Sequence, residues 1–97
     1  MPTTIDSIRQ GEPLILKVEG SFDAPAAWRI RELLGGLESG ARATIDLRQA
    51  MRIEDSALAL LVPELACANG PVVSLVGLAV HHWRMLRYLG VRAEQPS

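Results

Sequence analysis

Leu14-Ile15-Leu16-Lys17-Val18-Glu19-Gly20-Ser21-Phe22-Asp23-Ala24-Pro25-Ala26-Ala27 is the stretch on which the fold turns. Its first five residues have the apolar density and alternation of a strand, entered from the turn-forming Gly11-Glu12-Pro13 and ended by Gly20. Asp23 then offers a helix N-cap, and Pro25 falls in the first turn, where its missing N–H costs little. Beyond it Ala27, Ile30, Leu33, Leu34 and Leu37 recur at helical spacing, with Arg29, Arg31, Glu32 and Glu38 largely on the other side. Gly35-Gly36 weakens the last turn and Ser39-Gly40 closes it. A strand feeding an amphipathic helix is the repeating unit of an α/β domain.

The rest of the chain repeats that unit. Ala43 to Leu47 reads as a short strand and Arg48 to Glu54 as a loop. Asp55-Ser56 supplies capping residues for a helix from about Ala57 to Ala68, ending near Asn69-Gly70-Pro71. Pro71 to Val76 is β-branched and nearly continuous, which predicts a central, well-buried strand bounded by Gly77. A last helix is expected over Ala79 to Leu89, stopping at Gly90. Its inner face is marked by Trp83, Leu86 and Leu89, and its outer face by His81, Arg84, Arg87 and Tyr88. Thr3 to Ile8 suits an extra edge strand, and Val91 to Ser97 a frayed polar tail. The expected fold is a small α/β domain over residues 1–97, a four- or five-stranded mixed sheet with helices mainly on one side.

Composition narrows the function. The chain has 97 residues, room for one domain. It is 48% hydrophobic but only 4% aromatic, so the core must be built from Leu, Val, Ile and Ala. Ten basic residues against eleven acidic ones give a formal net charge of −1, without the basic excess that phosphate backbones or anionic membranes require. Met1 to Asp6 lacks the regions of a secretory signal, and the apolar run Ala57 to Pro63 is far short of the roughly 20 residues that span a bilayer. A cytoplasmic protein is expected. Cys67, the single cysteine, has no disulfide partner and reads as a reduced, buried small side chain.

Signatures of catalysis are scarce. The sequence contains no phosphate-cradling glycine loop, nucleophile elbow or cysteine-rich metal spacing. His81 and His82 are the two histidines, and neighbours on a helix point about 100° apart, so neither a shared metal ion nor any cofactor is expected. One histidine is expected beside Trp83 and the other in solvent. Glu54 and Asp55 fit a helix start, where the helix dipole favours negative charge, better than an acid–base pair. An enzyme is not expected.

The second helix is the informative one. Leu58, Leu61, Val62 and Leu65 form an apolar face, while Ala57, Ala59, Leu60 and Pro63 carry apolar character around much of the remainder. Such a helix is either central to the core or offers a second face to a partner. Pro63 predicts a kink near Ala59 to Pro63, or else a late start to the regular helix.

In order and spacing, these segments resemble the STAS family, the fold of bacterial anti-sigma factor antagonists. Val18-Glu19-Gly20-Ser21-Phe22-Asp23 resembles the family's strand ending in G-x-[apolar]-D, and Thr44-Ile45-Asp46-Leu47 its [apolar]-D-[apolar] strand. Arg52-Ile53-Glu54-Asp55-Ser56-Ala57-Leu58-Ala59-Leu60-Leu61 is similar to the family's second-helix start, and Val73 to Gly77 to its strand before the final helix.

The resemblance implies a protein-binding regulatory role. The partner would be an anti-sigma factor of the ATP-binding kinase type, bound around the second-helix start. Glu54, Asp55, Ser56, Leu60 and Pro63 would form the contact surface, with Phe22, Asp23 and Ala24 nearby. Family members often carry a phosphorylated Ser or Thr at that helix start, which breaks the complex. Aligning Leu58 with the motif leucine places Glu54 at the family aspartate and Asp55, which cannot become phosphoserine, at the phosphoacceptor. A one-residue shift would make Ser56 the acceptor instead. The alternative implied role is a STAS subunit of an ABC-type lipid transporter, docking on the ATPase.

Overall fold

The computed structural model describes residues 3–8, 14–66 and 70–91. Within them the chain runs β1 (Thr4–Ile8), β2 (Leu14–Phe22), α1 (Ala24–Gly35), β3 (Arg42–Asp46), β4 (Ala50–Ile53), α2 (Asp55–Leu65), β5 (Val72–Val76) and α3 (Val80–Tyr88). The five strands form one mixed sheet in the order β1-β2-β3-β5, with β4 joined to β2. β1 is antiparallel to β2, and the other pairings are parallel. This is the small α/β fold with a mixed sheet that the strand–helix alternation predicts.

One sheet face is buried. Register places Leu14 beside Ala43, Leu16 beside Ile45, and Ile45 beside Leu75. All of these side chains, with Val18, are withdrawn from solvent beneath Ala27, Ile30 and Leu34 of α1, Leu58 and Leu61 of α2, and Trp83 and Leu86 of α3. On the opposite face Ile15, Lys17 and Thr44 are half-buried, and Val72 and Ser74 are exposed. Alternation with period two therefore sorts β2 into a core row and an outer row.

Several boundaries differ from the sequence reading. β2 continues through Gly20 to Phe22, because Gly20 adopts φ 85° at a register shift and the strand then pairs with β4. β4 itself lies within the expected loop Arg48 to Glu54. β5 is an edge strand, with β3 as its neighbour, and its outer face has no covering layer among the described residues; the central position expected from its composition is not the one it occupies. Leu89 is 43% exposed instead of facing inward, whereas Val91, expected in the frayed tail, is buried in the core. The turn at Gly11-Glu12-Pro13, Cys67 and residues 92–97 lie outside the described residues.

Two polar devices fix the geometry around the site. Asp23 caps α1, its carboxylate accepting from the Ala26 amide at 3.1 Å. Asp46, buried at the end of β3, accepts from the Arg48 amide at 3.0 Å and from the Arg48 guanidinium at 3.0 and 2.9 Å. That clasp ties the turn between β3 and β4 to the sheet. The hydrogen bonds from Arg48, outweighing burial, lower the Asp46 carboxyl below its ordinary value of 3.8.

Candidate interaction surface at the helix starts

The start of α2 is set by β2. Glu54 donates its amide to the Phe22 carbonyl at 3.0 Å, then receives the amides of Ala57 and Leu58 on its own carbonyl. Glu54 is thus the N-cap by backbone, and its side chain makes no capping hydrogen bond. Asp55 and Ser56 are the first two helical residues and not the caps expected from the sequence. A carboxylate in this first turn interacts favourably with the unpaired amides of the helix end.

The helix is anchored on one side and open on the other. Ala57, Leu58 and Leu61 are fully buried, while Asp55, Ser56, Ala59 and Pro63 are exposed. Ser56 and Pro63, seven residues apart, fall on nearly the same face. Leu60 is half-buried against the core and contributes only an edge. The regular helix begins at Asp55 and runs through Pro63, so the late-start reading is excluded.

The other predicted contact residues divide. Ala24 and Asp23 are half-buried at the start of α1, and the Asp23 carboxylate is engaged as a cap. Phe22 is fully buried, and its alternation with Leu16 and Val18 explains why. The Phe22 side chain is a core anchor rather than a contact group; its carbonyl alone meets the site.

The structure adds the start of α3, which the sequence reading left out. His82 is buried and His81 exposed, as the apolar pattern around Trp83 implies. His82 Nδ1 accepts from the Ala79 amide at 3.2 Å, so the side chain caps its own helix. Ala79 has no polar side-chain atom to return the bond, so only this half of a capping box exists. His82 Nε2 lies 3.6 Å from Asp55 Oδ1. Folding His82 back onto Ala79 brings its ring to 3.9 Å from that of His81, centroid to centroid, contrary to the expectation that neighbours diverge.

Ligand atoms of Asp55, His81 and His82 consequently lie within 4.8 Å of one another. The Ala79 contact assigns the lone pair to Nδ1 and the proton to Nε2 of neutral His82. A cation at Nε2 would have to displace that proton and forfeit the cap. Burial, reinforced by His81 and opposed by Asp55, pushes His82 below its ordinary value of 6.5.

Large apolar side chains are exposed on β4 and α3. Met51 on β4 is 72% exposed and Val80 at the start of α3 is 60% exposed. A signal for Met51 was present in the short apolar–polar run Ala50-Met51-Arg52-Ile53, which reads as a strand once its neighbours are known. Among the described residues no helix is long and apolar enough to cross a membrane. Comparison with models of known protein families and with curated proteins finds no match to this chain.

Proposed function

We propose that this chain is a protein-binding regulatory domain that docks through the start of α2, in the manner of the anti-sigma factor antagonists it resembles. The partner is an anti-sigma factor of the ATP-binding kinase type, met in the cytoplasm. The observation that carries this reading is the exposed first turn of α2. Asp55 and Ser56 project from a helix whose next residues, Ala57 and Leu58, are fully buried. An interaction surface gains from such a base, because little side-chain and backbone freedom is left to lose on binding.

Asp55 supplies a fixed negative charge at the position that aligns with the family phosphoacceptor. Charge of this kind steers encounter and selects partners more than it adds affinity. Phosphate on Ser56 would add roughly −1.5 to −2 charges one residue further on. At a helix N-terminus that charge favours the fold, so its effect would fall on the interface.

Pull-down with the tagged domain from native lysate, followed by mass spectrometry, tests the reading. An ATP-binding kinase-like anti-sigma factor supports it, and incubation of that pair with ATP then tests Ser56. Retention of a transporter ATPase instead would replace the proposed partner.

A further inference from the structure

We infer that β5 is a self-pairing edge, through which two copies of this chain join their sheets about a two-fold axis at Ser74. The backbone sets the requirement. Val72 donates its amide to the Ala41 carbonyl and Leu47 donates to the Val76 carbonyl, at the two ends of the β3–β5 ladder. With Thr44 opposite Ser74, the alternation of a parallel ladder turns the amides and carbonyls of Val72, Ser74 and Val76 toward β3. Those of Val73 and Leu75 then point to the outer edge, where no strand among the described residues pairs with them.

The sequence of the edge is nearly symmetric about its centre. Val72-Val73-Ser74-Leu75-Val76, laid antiparallel against itself, places Val73 opposite Leu75, Ser74 opposite Ser74 and Val72 opposite Val76. Val73 and Leu75 are the residues with outward backbone groups, so each of the two Val73–Leu75 pairs exchanges both of its hydrogen bonds. Their side chains lie on the core face. Val72 and Ser74 lie exposed on the open face, where Val72 meets Val76 of the second copy.

The edge also lacks the features that block pairing. β5 contains no charged residue, proline or bulge, the usual devices that keep an edge from pairing. β1, the opposite edge, carries exposed Asp6. A groove on the open face, lined by the side chains of Arg42, Thr44, Val72 and Ser74, lies along this edge, and pairing would join the grooves of two copies. An antiparallel two-fold contact closes on itself and yields a dimer, not a fibre. Five residues make a short edge, so the dimer is concentration-dependent.

Sedimentation equilibrium of the full chain over about 1 to 200 µM should show the mass rising toward twice the monomer value. Ser74→Lys, which opposes two like charges at the axis, should hold the mass at one chain with an unchanged circular dichroism spectrum. Ser74→Cys in a Cys67→Ser background should form an intermolecular disulfide, because a non-hydrogen-bonded antiparallel pair brings the two Cα atoms to about 4.5 Å. A wild-type monomer throughout the range would overturn the inference. So would a dimer that survives Ser74→Lys and gives no Ser74→Cys cross-link.

Discussion

Asp55 Oδ1 and His82 Nε2 stand 3.6 Å apart and link the first turns of α2 and α3, which are separated by more than a strand's length of sequence. Asp55 is largely exposed and His82 is not, so a group available to a partner touches a group that caps a helix. The His82 ring therefore stands between Asp55 and the Ala79 end of α3.

The ring of His82 should be neutral near pH 7.5, with its proton on Nε2. Burial, then His81, hold it below 6.5 against the pull of Asp55, so as the pH falls the unfolded chain takes up the second ring proton before the folded one does. Its contribution to stability is complete above 6.5 and is lost as the pH falls toward the lowered folded value. Nitrogen-detected NMR of the histidine rings across pH 4.5 to 8 reads both tautomer and titration, and a proton found on Nδ1 would contradict the assigned cap.

Removing the Asp46 clasp should destabilise the domain without touching the surface at α2. Asp46→Ala leaves the Arg48 amide without its acceptor, at a cost of about 1–3 kcal/mol in urea unfolding. Asp46 sits below its ordinary 3.8 when folded, so its contribution persists above 3.8 and disappears as the pH falls through the lowered value. The variant should accordingly lose less stability on acidification than the wild type does.

Gly77 and Gly40 separate crowding from conformational preference. Both have positive φ, 95° and 83°. A Cβ on Gly77 would lie 2.6 Å from the Arg48 amide nitrogen and 2.8 Å from the Leu47 carbonyl carbon, whereas one on Gly40 would meet nothing within 4 Å. Gly40→Ala should cost about 1–2 kcal/mol from the left-handed backbone alone. Gly77→Ala should cost clearly more, and equal losses in parallel thermal melts would contradict the close packing of β5's end against the β3–β4 turn.

The parts of the fold that were legible in the sequence are those with strong local signals. Leu14-Ile15-Leu16-Lys17-Val18 and the helix behind Asp23 carry their own periodicity and cap, and both form where expected. β4 escaped notice because four residues hold too little pattern, and its strand character comes from pairing with Gly20 to Phe22. β5 was misplaced for the opposite reason: a run of β-branched residues looks central, yet only neighbours decide whether a strand is an edge.

The site divides along the same line. Exposure of Asp55, Ser56 and Pro63 follows from the helical spacing of Leu58 and Leu61, which take the buried side. Phe22 was placed beside the contact surface by the family resemblance, although its alternation with Val18 and Leu16 already pointed inward. Nothing local connects His82 to Asp55, since that contact is made by packing α3 beside α2.

Titration of the captured partner against wild type and Asp55→Arg is the most direct test of the docking surface. The substitution reverses charge at an exposed first-turn residue and should leave the thermal unfolding curve close to that of the wild type, apart from a small loss at the helix end. The account predicts at least a tenfold weaker dissociation constant for Asp55→Arg, about 1.4 kcal/mol. Equal affinity for the two proteins, both folded, would contradict it.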